Sequence, residues 1–209
     1  MRSLRSRNNW GVKVITILSK AVVIFSTITI LAICLLGCAP IIAGSAATGA
    51  FITSDKRTTG TVIEDQAIET KAYDFFEADG ELAEQTHISV TSYNQRVLLT
   101  GEAPTEVLRT RAVEYVSRIA KVLHVFNEIA IANPTTAGAR ANDALLTTKV
   151  KAKLVSIKDV SAADVKVVTE SGVVYLMGLF DSSTGDAVAA SVATVGGITK
   201  VVKLFESSK

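Results

Sequence analysis

Between residues 65 and 206 the chain runs through the same order of apolar and polar positions twice. Ile68, Ala72 and Phe76 recur every fourth residue, and so do Leu146, Val150 and Leu154. That is the spacing of one face of an α-helix. Asp65 opens the first copy and Asp143 the second, where it is a candidate helix N-cap. Two β-rich runs follow in each copy. Ile88-Ser89-Val90-Thr91 and Val97-Leu98-Leu99-Thr100-Gly101 flank a turn at Asn94-Gln95. Val165-Lys166-Val167-Val168 and Val173-Val174-Tyr175-Leu176-Met177-Gly178 flank a turn at Ser171-Gly172. Branched residues bounded by turn formers predict hairpins. A second helical stripe comes next, Leu108, Ala112, Val116 and Ile119 in copy one and Val188, Val192 and Val195 in copy two. Final strands are expected over 124–131 and 200–205.

The order is αββαβ, twice. A duplicated unit fixes the architecture before any other consideration. The expected fold class is α+β, with each three-stranded sheet packed on two helices. The boundaries implied are 65–132 for the first unit, 133–142 for a linker containing Asn133-Pro134, and 143–209 for the second unit.

The pattern before residue 65 is of another kind. Arg2, Arg5, Arg7 and Lys13 make a basic amino end, and residues 21–36 are uncharged and mostly apolar. A spanning helix takes about 20 apolar residues, so this run has the length of a signal segment. It ends in Leu35-Leu36-Gly37-Cys38. That tetrad resembles the lipobox of bacterial lipoproteins, which implies cleavage after residue 37 and lipidation of Cys38. The competing reading is an uncleaved membrane helix that ends in Gly-Cys. Residues 38–64, rich in Ala, Gly, Ser and Thr, read as a lipidated tether, with a short helix over 46–52 as the alternative.

Charge follows from this division. The whole chain carries 22 basic and 20 acidic residues, a net of +2. Five of the basic residues and none of the acidic ones lie in 1–37. The remainder therefore has seventeen bases against twenty acids, a net of −3, which gives no footing for nucleic-acid binding. Cys34 and Cys38 are the only cysteines. Cleavage and acylation would leave no free thiol for a disulfide or a thiolate metal site.

Little in the pattern suggests catalysis. His87 and His124 each stand at the start of a predicted strand, without a partner at metal-ligand spacing. Asp74, Glu77, Asp79, Glu81 and Glu84 lack the alternation and central glycine of a calcium loop and read as a solvated helix end. Phosphate loops, serine elbows and Cys-His pairs are not seen. The expectation is a non-enzymatic protein with no metal and no cofactor.

Val165 to Gly178, completed by Val195-Gly196-Gly197-Ile198-Thr199-Lys200-Val201, is similar to the BON domain. Asn142-Asp143, Thr147-Thr148-Lys149-Val150 and Tyr175-Leu176-Met177-Gly178-Leu179 resemble the second domain of the dual-BON outer-membrane lipoproteins, the DolP-like family. Copy one departs from the pattern. Lys121 stands where the family favours glycine, and Gln95 replaces a turn glycine, so local turns there are expected to bend.

The two copies differ most in charge. Residues 65–131 hold six bases and eleven acids, and residues 143–206 hold seven of each. Lys149, Lys151, Lys153 and Lys158 crowd the first helix of copy two, and Leu145 sits beside Lys149 off the core stripe. An apolar residue among lysines suits a helix lying at a lipid surface. It suits a plain solvated helix face equally well. The resemblance decides for lipid. It implies that Leu145, Lys149 and Lys153 contact anionic phospholipids such as phosphatidylglycerol and cardiolipin. Leu145 replaces the tryptophan common in the family, which implies weaker insertion. The resemblance also implies an outer-membrane location facing the periplasm and a role in envelope integrity. Recruitment to division sites and a link to the outer-membrane protein assembly machinery belong to the same expectation. The alternative is a periplasmic adaptor for envelope-assembly or division proteins, with lipid contact incidental.

Overall fold

The computed structural model describes residues 55–207. Cys38, the leader and most of the tether lie outside them. Helix α1 (Thr59–Ala78) starts at Thr58, whose hydroxyl accepts the amide of Thr61. Its buried stripe is Ile68, Ala72 and Phe76, as the periodicity predicts, with Asp65 one turn earlier. Asp79 ends α1 and caps a short helix, α2 (Gly80–Gln85), by accepting the amides of Glu81 and Leu82. The acid run is thus partly a capping device.

Strands β1 (His87–Tyr93) and β2 (Arg96–Ala103) form the expected hairpin. Helix α3 (Glu106–Ser117) carries the chain back across the sheet, so that β3 (His124–Ile131) pairs with β2 in parallel. A parallel pair needs such a crossover connection. Copy two repeats this with α4 (Ala137–Val155), β4 (Lys166–Glu170), β5 (Val173–Leu179), α5 (Ser182–Ala193) and β6 (Lys200–Glu206). Its sheet order, β4-β5-β6, matches β1-β2-β3. The α+β class and the αββαβ order are therefore seen twice, with the short α2 added in copy one.

Three details correct the sequence reading. Asp143 is not an N-cap. Helix α4 begins six residues earlier, at Ala137, capped by Thr136, so part of the supposed linker is helix. Residues 55–64 are not free tether. Arg57 bonds the Asp65 carboxylate at 2.7 Å and lies 4.1 Å over the Tyr93 ring. Gln95 and Lys121 do not bend their turns. They take φ of 64° and 75°, the left-handed backbone that Gly172 and Gly197 adopt at 76° and 100°. Hydrogen bonding holds both turns alike, since Leu123 N donates to Gln95 O and Thr199 N to Gly172 O.

The buried Asp pair explains why the hairpins keep their register. Asp65 accepts the amides of Asn94 and Gln95 and the hydroxyl of Ser92. Asp143 accepts the amides of Ser171 and Gly172. Each carboxylate ties a helix interior to a type I′-like turn whose amides would otherwise lack partners.

Each unit has its own core between helices and sheet, around Val97, Leu99 and Val116 in the first and Val174, Leu176 and Val192 in the second. A third cluster joins the units. Tyr93, Leu98 and Phe126 from one sheet pack on Tyr175, Met177, Val202 and Leu204 from the other. The two sheets thus meet through the faces their helices leave bare. This is why Val97-Leu98-Leu99 and residues 173–177 run apolar without alternation, since central strands buried on both faces need no polar side.

Candidate functional site

The outer face of α4 follows from its helical spacing. Leu146, Val150 and Leu154 turn inward at 2%, 0% and 0% exposure. Leu145 consequently points out, with 53% of its surface free. Lys149 is exposed one turn on, and Lys153 is half-buried at the flank of the helix. The structure therefore sets the three residues along one side of α4. It adds Val155, at 75% exposure, to the same end of the helix; residue spacing alone did not single it out. Among the described residues, Lys149, Lys151, Lys153 and Lys158 form no ion pair. Four ammonium groups with two exposed aliphatic side chains can meet an anionic interface without first breaking internal bonds. Lys153 lies in the last turn of α4, where the helix dipole favours a cation. Among the described residues, no helix is long and apolar enough to cross a membrane.

The seam between the domains holds a second polar group. Arg96 and Asn94 of copy one bond Glu206 of copy two at 2.8 and 3.2 Å. The Tyr175 hydroxyl donates to Glu128 at 3.3 Å, and the Tyr93 hydroxyl to the Asp164 carbonyl at 3.4 Å. Burial, with the nearby Asp55 charge, pushes the Tyr93 phenol up to about 12. Burial likewise pushes the Glu170 carboxyl up to about 7, helped by the charges of Glu102 and Asp143 and opposed by Arg140. His87, Ser89, Arg140, Asp143, Thr147 and Glu170 line an open groove of about 290 Å³ beside it. Sequence spacing assigned His87 to a strand edge without a metal-like partner. The fold brings Glu102 and Glu170 to it from distant positions, and no local motif announces that meeting.

The family pattern described as BON domain matches residues 64–133 and 142–208. The chain is 34% identical over 170 residues to the outer membrane lipoprotein DolP of Haemophilus influenzae, covering 81% of this chain and 88% of that protein. It is 34% identical over 151 residues to the 21 kDa hemolysin of Actinobacillus pleuropneumoniae, covering 72% and 78%. The osmotically-inducible protein Y of Escherichia coli is 28% identical over 156 residues, covering 73% and 77%.

Proposed function

Because the chain belongs to the BON-domain family, and shares 34% of its residues over most of its length with an outer membrane lipoprotein, we propose the following role. It is a non-enzymatic lipoprotein anchored through Cys38 to the outer membrane and facing the periplasm. Its second domain binds anionic phospholipid through Leu145, Lys149 and Lys153, and so supports envelope integrity.

The observation that carries this reading is the outer face of α4. It holds exposed Leu145 and Val155 among lysines that lack internal partners. Each lysine near an anionic surface contributes on the order of 1 kcal/mol. Lys149, Lys151, Lys153 and Lys158 together give about 3–4 kcal/mol, which is weak docking. The acyl anchor makes it sufficient by holding the domain at high effective concentration beside the bilayer.

Vesicle co-sedimentation tests the reading. The full chain is expected to bind phosphatidylglycerol/cardiolipin vesicles more tightly through α4 than phosphatidylcholine vesicles. Neutralising Lys149 and Lys153 to Gln removes roughly 2 kcal/mol, about a thirtyfold loss for the anionic vesicles. Leu145→Trp strengthens binding several-fold, because indole prefers the interface. Equal binding to both vesicle types, or binding unchanged by the double substitution, overturns the assignment.

The adaptor reading rests on the sheet edges. Strand β3 is an edge strand with most of its residues exposed, and Ile131 on it is 47% exposed. Such an edge can accept a partner strand from an envelope-assembly or division protein. Crosslinked partners retained by the Lys149/Lys153 double variant would favour it.

A further inference from the structure

We propose that His87, Glu102 and Glu170 form a binding site for a zinc-class divalent cation across the seam between the two domains. Each residue offers one ligand atom, and the three atoms lie within 4.8 Å of one another. His87 Nδ1 is 3.6 Å from Glu102 Oε2. Ligand atoms around a tetrahedral ion at about 2.0–2.2 Å are separated by roughly 3.3–3.6 Å. That pair therefore already has that spacing, and the other separations need close by at most a little more than about an ångström.

Two buried polar atoms point to an occupant. Glu102 is 2% exposed, and its Oε1 has no hydrogen-bond partner. The Nδ1 of His87 is likewise buried and unpartnered. The other oxygen of Glu102 accepts the Thr135 amide at 3.3 Å. A carboxylate taken out of water is stable only when its charge is neutralised or fully hydrogen-bonded. One amide on one oxygen falls short of that.

The backbone builds the site. His87 and Glu102 are direct partners in the β1–β2 ladder. Between them and the turn lies Gly101, with φ of 105°, where a Cβ would stand 1.9 Å from the His87 carbonyl oxygen. Only glycine lets the two strands approach there. Glu170, the last residue of β4, arrives from the other domain. Copy one has Tyr93 at the place of Glu170, and copy two has Leu179 at the place of Glu102. The cluster is therefore not a repeat feature and exists only because the two sheets pack together. The groove lined by His87, Arg140 and Glu170 gives an ion a way in.

Donor chemistry selects the ion. One imidazole and two carboxylates suit Zn²⁺ or a neighbouring transition ion, with water as the fourth ligand. Calcium takes six to eight oxygens, more than this set provides. Bound here, the cation would clamp the β1–β2 edge of the first domain to the end of β4 in the second.

The test is titration of the full, untagged chain in detergent with Zn²⁺. Calorimetry is expected to show one saturable site that also raises the thermal midpoint. Glu102→Gln and His87→Ala are expected to weaken binding by at least about tenfold and to abolish the thermal shift. His124→Ala is expected to change neither. The His87 side chain is partly exposed, so that variant stays informative if Glu102→Gln fails to fold. Absence of a saturable site, or binding that His87→Ala leaves intact, overturns the proposal. The latter result means an adventitious surface site, and the former means the carboxylates are balanced by a shared proton.

Discussion

Helices α1 and α4 do the same structural work with opposite surfaces. Both present an inward stripe, Ile68, Ala72 and Phe76 in one and Leu146, Val150 and Leu154 in the other. Both place a buried Asp one turn before that stripe to hold a hairpin turn. Outward they diverge. Helix α1 carries exposed Asp74 and Glu77, while its Glu69 accepts the Ser92 amide, and its Phe75 stacks on Tyr115 with ring centroids 5.8 Å apart. Aligned on the buried Asp, α4 has Lys149, Lys151 and Lys153 where α1 has Lys71, Tyr73 and Phe75, and Leu145 where α1 has Ala67. Packing constrains the inner positions in both copies, because a core senses every methylene. The outer positions are free to differ, and there the two copies carry different surfaces.

The largest effect should come from breaking the shared device. Asp65 accepts three bonds from the β1–β2 hairpin and a fourth from Arg57, whereas Asp143 accepts two backbone amides. Asp65→Ala leaves the Asn94 and Gln95 amides and the Ser92 hydroxyl unpaired, while Arg57 keeps Asp55, and should destabilise by about 3–5 kcal/mol. Asp143→Ala should destabilise by about 1–3 kcal/mol. Denaturant midpoints measure both. Equal losses would show that Arg57 and Ser92 add nothing, and the asymmetry between the copies would vanish.

Next in size are the caps of the second helices. Thr105 Oγ1 accepts the Leu108 amide at 3.3 Å in α3. Asp181 takes the same place in α5, accepting the Thr184 amide at 2.9 Å and two hydroxyls. Those bonds to Ser183 and Thr184 hold the Asp181 carboxyl well below the usual carboxylate range. Its contribution is present above the ordinary Asp value and is lost as pH falls toward the lower folded value. Thr105→Ala should reduce stability by about 1 kcal/mol at every pH. Asp181→Ala should reduce the melting temperature at pH 7 by an amount that shrinks steadily below about pH 4. Melts of both variants between pH 7 and pH 2 check this. A pH-independent loss for Asp181→Ala would mean that its charge plays no part in the cap.

The repeat, the α+β class and the two core stripes were legible because helix and strand periods differ and each was kept for several turns. The outward lysines were legible for the same reason. Even the packing of sheet on sheet left a trace in the unbroken apolar runs of β2 and β5. What escaped was set by contact between distant residues. The short α2 was hidden in an acid run, and the first turns of α4 were masked by Gly138 and Asn142. The role of Asp143 was misread because Asp is equally at home as an N-cap and as a buried turn clamp. His87, Glu102 and Glu170 share no motif, since only tertiary packing puts them side by side.

The smallest effect tests a place where copy one keeps a side chain and copy two has glycine. Lys121 holds φ of 75° and pairs with Glu64 at 3.6 Å across an exposed surface, a contact of little worth. A left-handed backbone costs a non-glycine residue about 1–2 kcal/mol, while glycine returns roughly half of that through its looser unfolded chain. Lys121→Gly should therefore raise stability by somewhat less than about 1 kcal/mol. The mirror substitution is not its inverse. A Cβ at Gly197 would lie 2.9 Å from Leu146 Cδ2, so Gly197→Lys adds a clash with the α4 core stripe to the backbone strain. Its loss should exceed the Lys121→Gly gain when both are read from denaturant midpoints. Equal and opposite changes would mean that Leu146 yields freely, and that the turn alone decides which residue the position accepts.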